Sequence, residues 1–399
     1  MKRQNMHKNV NVRAVFLESP TKTRMTHGQY PCNGNYFSPE GETPTTAIIA
    51  SHYTASWANH YLGEYVARRG YGFLGWNTRY AGAPVATGFN LENALVDLGV
   101  GVRWLREVAG VEKVVILGNS GGASLMGAYQ AQALDPHIDP GAVPVEELES
   151  LIPADMYISL AAHPGRARIF TEWLDPSVTD ENDPLSCDPD LDMYNPKNGP
   201  PYSDEFLTRY RAGQVARNER ITAWAEAELA RLRDERPKGD GTLDGKGTFG
   251  APSKDGVFDR FFAVPRQFAD PRFLDLSIDP SKRRVGCYMG DPRESNYSGY
   301  GLAPITSARE WLAMWSLSKT QVCIEEQLPR ITQPAMVIFA NYDQGVYPSH
   351  AHAIHDALGS KDKRLVFLDG AHYFESDGSR AELASVISDW LEDHGALPV

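Results

Sequence analysis

The chain is expected to be an α/β protein, a mostly parallel central sheet with helices on both faces. Two observations predict this. Short apolar, β-branched runs alternate with helix-compatible segments at both ends of the sequence. One of those runs, Val111–Leu117, drops through Gly118-Asn119-Ser120-Gly121-Gly122 into another helical stretch. A parallel sheet is covered on both faces, so its strands read as continuous apolar runs rather than as alternation.

In order, Val10–Leu17 and Gly34–Phe37 read as strands separated by turn residues, and Thr45–Ser51 as a buried strand. Trp57–Arg69 carries Trp57, Tyr61, Leu62, Tyr65 and Val66 at helical spacing, with Gly70 placed to stop it. Tyr71–Trp76 is the next strand. Leu91–Val108 follows as a helix with Leu91, Leu95, Leu98, Val102 and Leu105 on one face, weakened by Gly99 and Gly101. Ala123–Leu134 is the helix after the Ser120 turn, and Met156–Ala162 is a further strand.

Between residues 164 and 328 this alternation stops. The segment is rich in proline, aspartate and aromatics, irregular over Asp175–Pro201, with a polar helix from about Asp204 to Arg236 and a flexible loop at Lys238–Gly247. The strand–helix grammar resumes with Ala335–Ala340, a helix from Pro348 to Leu358, a strand at Arg364–Leu368 and a closing helix at Ser379–Leu391. Ser379-x-x-Glu382 reads as its capping box. The expected organisation is one core domain, residues 1–163 and 329–399, with 164–328 inserted into it.

Composition narrows the function classes. The chain has 399 residues, enough for a large core, with 39 Lys and Arg against 51 Asp and Glu and a net charge of −12. With no basic run interleaved with aromatics, neither nucleic acid nor an anionic membrane is an expected partner. The basic start Met1–Asn9 is followed by no apolar region, so no signal peptide is expected. No apolar run approaches the roughly 20 residues of a membrane span. Cys32, Cys187, Cys287 and Cys323 are widely spaced without a C-x-x-C pair and read as free thiols of a cytoplasmic protein. A homo-oligomer is left open.

The Gly-x-Ser-x-Gly at 118–122 has the form of a nucleophile elbow, a sharp strand-to-helix turn that lifts a serine hydroxyl above the sheet. Its serine takes a strained conformation, and the flanking glycines are required where strand and helix nearly touch. A serine hydroxyl is a poor nucleophile at neutral pH. It needs a base within hydrogen-bond reach, and the base needs a group that fixes its tautomer. Functional groups of a parallel sheet collect on loops after the carboxyl ends of strands. Two such loops follow the insertion, Asn341–Val346 and Asp369–Phe374. They offer Asp343 as orienter and His372 as base, with Asp369 as a second choice of acid.

These segments together resemble the α/β-hydrolase fold over roughly residues 10–163 and 329–399. Gly118–Gly122 resembles the elbow, Leu328–Ile338 followed by Asp343 the segment bearing the acid, and Gly370-Ala371-His372-Tyr373-Phe374 the histidine loop. Arg79-Tyr80-Ala81-Gly82 is similar to the family's Arg-Gly-x-Gly loop, with one glycine missing. The resemblance implies a Ser120–His372–Asp343 triad, and an oxyanion hole made by the Gly121 N–H and one amide after the third strand. That site reads His52-Tyr53-Thr54, with tyrosine where glycine is common. The Thr54 N–H is the first choice of second donor and the Tyr53 N–H the second; the Tyr53 hydroxyl is a side-chain variant of the same stabilisation.

The resemblance also implies that the insertion is a cap over the nucleophile that sets specificity. Its many aromatics favour a small, partly apolar carbonyl substrate. Ester or lactone hydrolysis is the expected reaction. Carbon–carbon hydrolysis of a diketone-like compound, acyl transfer and a non-catalytic receptor are the alternatives. No nucleotide, flavin or metal motif is present, so no cofactor or metal is expected. His350, His352 and His355 read as a surface helix rather than a metal cluster, and the acidic stretch Asp175–Asp192 as a solvated loop rather than a calcium site. His163 reads first as a satisfied polar residue at a domain junction, with a place in the pocket lining as the alternative. Arg266, Arg272, Arg283, Arg284 and Arg293 are available to bind a carboxylate, with surface solvation as their default reading.

Overall fold

A computed structural model describes residues 8–21, 31–82, 89–141, 143–235 and 259–399. The loop expected at Lys238–Gly247 and the start of the chain, Met1–His7, lie outside the described residues.

The core is an eight-stranded sheet of β1 (Val10–Leu17), β2 (Cys32–Pro39), β3 (Thr46–Ser51), β4 (Gly72–Asn77), β5 (Lys113–Asn119), β6 (Met156–Leu160), β9 (Ala335–Ala340) and β10 (Lys363–Leu368). Their order is β1-β2-β4-β3-β5-β6-β9-β10. The pairs β1/β2 and β2/β4 are antiparallel; every pairing from β4 onward is parallel. Successive buried residues of the central strands point to opposite faces. Ile49, Ile116 and Val337 pack with helices α2 (Leu91–Glu107) and α3 (Gly122–Leu134). Ile48, Val115 and Ile338 pack with α1 (Gly63–Ala67) and the closing helix α8 (Asp377–Asp393). Burial of each such side chain contributes about 1.5–3 kcal/mol.

Four readings need correction. Only Gly63–Ala67 of the expected helix Trp57–Arg69 is helical. Side chains take the amides that its first turns would need: the Trp57 N–H donates to Asn77 Oδ1 and the Leu62 N–H to His60 Nδ1. The closing helix starts earlier than Ser379, because Ser376 is its cap and accepts from the Ser379 N–H. Gly99 and Gly101 do not interrupt α2, because both sit where the helix is packed tightly. A Cβ at Gly101 would lie 2.9 Å from Trp76 Nε1, and one at Gly99 2.6 Å from Leu151 Cδ2. Fourth, His350 on α7 (Pro348–Ala357) is buried rather than on a free surface.

Between β6 and β9 the chain builds α5 (Arg166–Trp173), the long α6 (Asp204–Glu235) and a small antiparallel pair, β7 (Phe261–Ala263) with β8 (Ile305–Ser307); the short α4 (Val145–Glu149) precedes β6. Toward its C-terminal half, α6 covers Ile221 and Ala225 and leaves Trp224 exposed. What α6 mainly buries is polar. Gln214, Arg217, Asn218 and Thr222 are bonded to neighbouring backbone and side chains, as in Asn218 Nδ2 to the Trp315 carbonyl at 2.8 Å. Most aromatics of the segment pack among themselves, Tyr202, Phe206 and Tyr210 in one cluster and Trp173, Phe268 and Phe273 in another. No described helix is long and apolar enough to cross a membrane.

Candidate active site

The turn from β5 into α3 is as tight as its glycines require. Ser120 has φ 54°, a conformation that L-residues rarely adopt. A Cβ at Gly118 would lie 2.2 Å from Ala123 Cα, and one at Gly122 would lie 2.3 Å from the Ser51 carbonyl oxygen. Both neighbours are backbone, so neither position can accept a side chain without moving the helix. The turn leaves the Ser120 hydroxyl at the carboxyl end of the sheet.

The loops after β9 and β10 meet it there. His372 Nε2 lies 2.9 Å from Ser120 Oγ, and His372 Nδ1 lies 2.6 Å from Asp343 Oδ2. The other carboxylate oxygen of Asp343 accepts from the Gly345 and Val346 amides at 2.8 and 3.0 Å. Asp343 is fully buried, and with one oxygen held by two amides the other can only point at the ring. The arrangement makes Nδ1 the protonated nitrogen and leaves Nε2 as acceptor for the serine proton. Burial disfavours the imidazolium of His372, but the charge and hydrogen bond of Asp343 outweigh it, so the pKa lies above the ordinary imidazole value. Asp369, the second choice of acid, is turned outward; it holds Lys282 Nζ at 2.7 Å and Asn341 Nδ2 at 2.6 Å.

The serine opens into a cavity of about 130 Å³. Its walls include His52, Gly121, His163, Arg166, Ile169, Trp173, Tyr288, Val346 and Tyr373. His52 and His163 are both held well below the ordinary imidazole value, first by burial and then by neighbouring cationic groups, so both rings are neutral here. The Gly121 amide heads α3 with no acceptor among the described residues. After β3, the Thr54 N–H points to His52 Nδ1 at 3.4 Å, whereas the Tyr53 N–H has no acceptor among the described residues. The Tyr53 hydroxyl is turned away from the serine and pairs with Ser124 Oγ at 3.1 Å.

Other residues singled out in the sequence lie elsewhere. His350 bonds Glu172, His352 packs on Phe367 and His355 reaches Asp356, so the three do not converge. No group of His, Cys, Asp and Glu among the described residues is arranged to hold a metal ion. Arg266 and Arg272 are engaged by Asp175 and Asp270, Arg283 by backbone carbonyls and Arg284 by Gln344. Missed in the sequence was Arg166, the first residue of α5, whose signal was its place next to Gly165 at the end of the loop that follows β6.

No protein-family profile and no curated protein matches the chain. Solved structures similar to it include the α/β hydrolase GrgF from a Penicillium species, with 14% identity, 96% of this chain and 97% of that one covered, and a TM-score of 0.46. A dienelactone hydrolase from Anabaena variabilis has 12% identity over 96% and 98% of the two chains, with a TM-score of 0.41. The esterase domain of a Rhodothermus marinus protein has 12% identity over 96% and 99%, with a TM-score of 0.43. Likenesses this distant carry no weight beside the chain's own geometry. By its mostly parallel sheet, its strained serine turn between β5 and α3, and the Ser–Asp–His order of the loop residues, the chain has an α/β-hydrolase fold.

Proposed function

We propose that the chain is a serine hydrolase acting on a small carbonyl substrate, an ester or lactone, through an acyl-enzyme. The observation that carries this reading is the hydrogen-bonded chain from Ser120 Oγ through His372 to Asp343, at 2.9 and 2.6 Å, beneath a strained serine. In the proposed reaction Ser120 Oγ attacks the carbonyl carbon as its proton passes to His372 Nε2. Asp343 holds the Nδ1 proton and stabilises the imidazolium without taking that proton. The tetrahedral oxyanion is received by amide N–H groups. Among the described residues neither the Gly121 nor the Tyr53 N–H has an acceptor, whereas the Thr54 N–H is turned to His52, which favours Tyr53 over Thr54. His372 then protonates the departing alkoxide, and water repeats the cycle to release the acid and free serine.

In this reading residues 164–328 act as the cap. They supply Arg166, Ile169, Trp173 and Tyr288 to the cavity wall and exclude water from the acyl-enzyme. The test is a panel of chromogenic esters, lactones and diketones, with Ser120→Ala as control. Ester or lactone turnover that falls by about 10³-fold or more in Ser120→Ala is expected. Near-normal turnover by that variant overturns the reading. Diketone turnover far above ester turnover moves it to carbon–carbon hydrolysis, and faster product formation with an added alcohol moves it to acyl transfer.

A further inference from the structure

Arg166 enters the cavity beside the nucleophile without an anion of its own. Its guanidinium lies between the faces of Tyr53 and Trp315, 4.8 and 4.9 Å from the ring centroids, and Nη1 contacts Met314 Sδ at 3.1 Å. Nε and Nη2 form the opposite edge, 3.1 and 3.6 Å from the point where a Cβ on Gly121 would sit. Neither nitrogen has an acceptor among the described residues, and no described carboxylate pairs with this guanidinium. The nearest acidic influence is Glu310, a buried carboxyl that desolvation pushes up to about 7 and that makes no ion pair. The cationic and titratable groups around Arg166 do not neutralise it: His52 and His163 are uncharged, and Tyr53 and Tyr373 are phenols.

An arginine fork is built for two parallel bonds to a planar anion, and the Nε–Nη2 edge is one of its two-donor faces. Placing such a cation in a partly desolvated cavity is costly unless an anion joins it there. The two aromatic faces hold the guanidinium plane in place by cation–π attraction and so preorganise that edge. Ile169, Trp173, Leu302 and Val346 make an apolar part of the remaining wall, beside Tyr288. The cavity is small, about 130 Å³, which keeps any chain between the attacked carbonyl and the guanidinium short.

We propose that Arg166 anchors a carboxylate of the substrate a few bonds from the carbonyl that Ser120 attacks, so that the preferred substrate is the monoester of a short dicarboxylic acid or a small lactone that carries a carboxylate. This rests on the hydrolase reading above and narrows its substrate from a small ester or lactone to an anionic one. Arg166 acts in binding and takes no part in proton transfer.

The test compares 4-nitrophenyl hydrogen glutarate with its methyl-capped neutral counterpart, 4-nitrophenyl methyl glutarate. The wild type should favour the anionic ester by about tenfold or more in kcat/KM. Arg166→Met should raise KM for the anionic ester by about 10- to 100-fold, the usual scale for hydrogen bonds to a charged group, and affect the neutral ester far less. Arg166→Lys, which keeps the charge and loses the fork, should fall between. If Arg166→Met does not fold, reduced selectivity in the lysine variant stands in for it. A wild type that favours the neutral ester, or variants that lose both esters alike through kcat, overturns the anchor. Calorimetry of free glutarate with Ser120→Ala separates the two readings. Binding that Arg166→Lys weakens, with neither ester hydrolysed, removes the hydrolase and keeps the anchor. Ester hydrolysis indifferent to Arg166, with no glutarate binding, keeps the hydrolase and removes the anchor.

Discussion

Gly122 sits against Ser51 so closely that a methyl group on it would lie 2.3 Å from the Ser51 carbonyl oxygen. The contact joins the first turn of α3 to the end of β3, and with it the Ser120 turn to the loop bearing His52 and Tyr53. Gly122→Ala and Gly118→Ala should therefore displace backbone. Both should lower stability by more than the approximately 1–3 kcal/mol of ordinary overpacking and abolish turnover. Gly121→Ala differs, since its Cβ meets the side-chain nitrogens of His52 and Arg166 at 3.0 and 3.1 Å. It should melt near the wild-type temperature and still lose substrate affinity. Thermal denaturation beside ester kinetics checks all three; a fully active Gly122→Ala would contradict the geometry.

The acid is distinguished from its neighbour by burial. Asp343 is sealed under the histidine with both oxygens bonded, whereas Asp369 lies at the surface with Lys282. Asp343→Asn should keep the fold and lower kcat by about 10⁴-fold, since the amide favours the wrong ring tautomer. Asp369→Asn should change kcat by less than about threefold, as expected for an exposed pair. The opposite ranking would transfer the role to Asp369.

The elbow and the serine–histidine–aspartate set were legible because local rules govern them. Backbone crowding dictates glycines at fixed offsets from Ser120, and loops after strand ends are where a parallel sheet exposes side chains. Arg166 was not legible. It is one arginine among many, and only the packing of α5 against Tyr53 and Trp315 distinguishes it from Arg168, which pairs with Glu325 at the surface. The free Tyr53 amide depends in the same way on where the His52 ring turns. The polar helix expected from about Asp204 is α6, but its buried face was not legible, because its side chains are covered through hydrogen bonds and hydropathy carries no signal for that.

Glu172 on α5 bonds His350 Nε2 on α7 at 2.9 Å and pairs with Arg272, tying the inserted segment to the core. Burial alone would raise its pKa; the charges of Arg272 and His350 outweigh that and hold it well below the ordinary carboxyl range. A depressed folded-state pKa means stability that is present above the unfolded value, about 4.3, and lost as pH falls through the folded one. Glu172→Gln should therefore cost about 1–3 kcal/mol near neutral pH, a melting shift of several degrees, with the difference from wild type shrinking on acidification. Calorimetric scans at a series of pH values check this, and a difference that grows in acid would assign the wrong sign.

The pH dependence of turnover follows from the same reasoning applied to His372. Only the neutral ring accepts the serine proton, so kcat/KM for a neutral ester should fall tenfold per pH unit below the His372 pKa. Because Asp343 raises that pKa, the acid limb should bend above the ordinary value of 6.5. In Asp343→Asn the raising charge is gone while burial, which lowers the pKa, remains. The residual activity of that variant should have its limb shifted to lower pH, below the ordinary imidazole value. Burial and neighbouring cations hold His52 and His163 well below the ordinary imidazole value, so both stay neutral across that limb. Profiles of both proteins on the same neutral ester decide the matter: an unmoved limb in Asp343→Asn would mean that the titrating group is not the His372 ring.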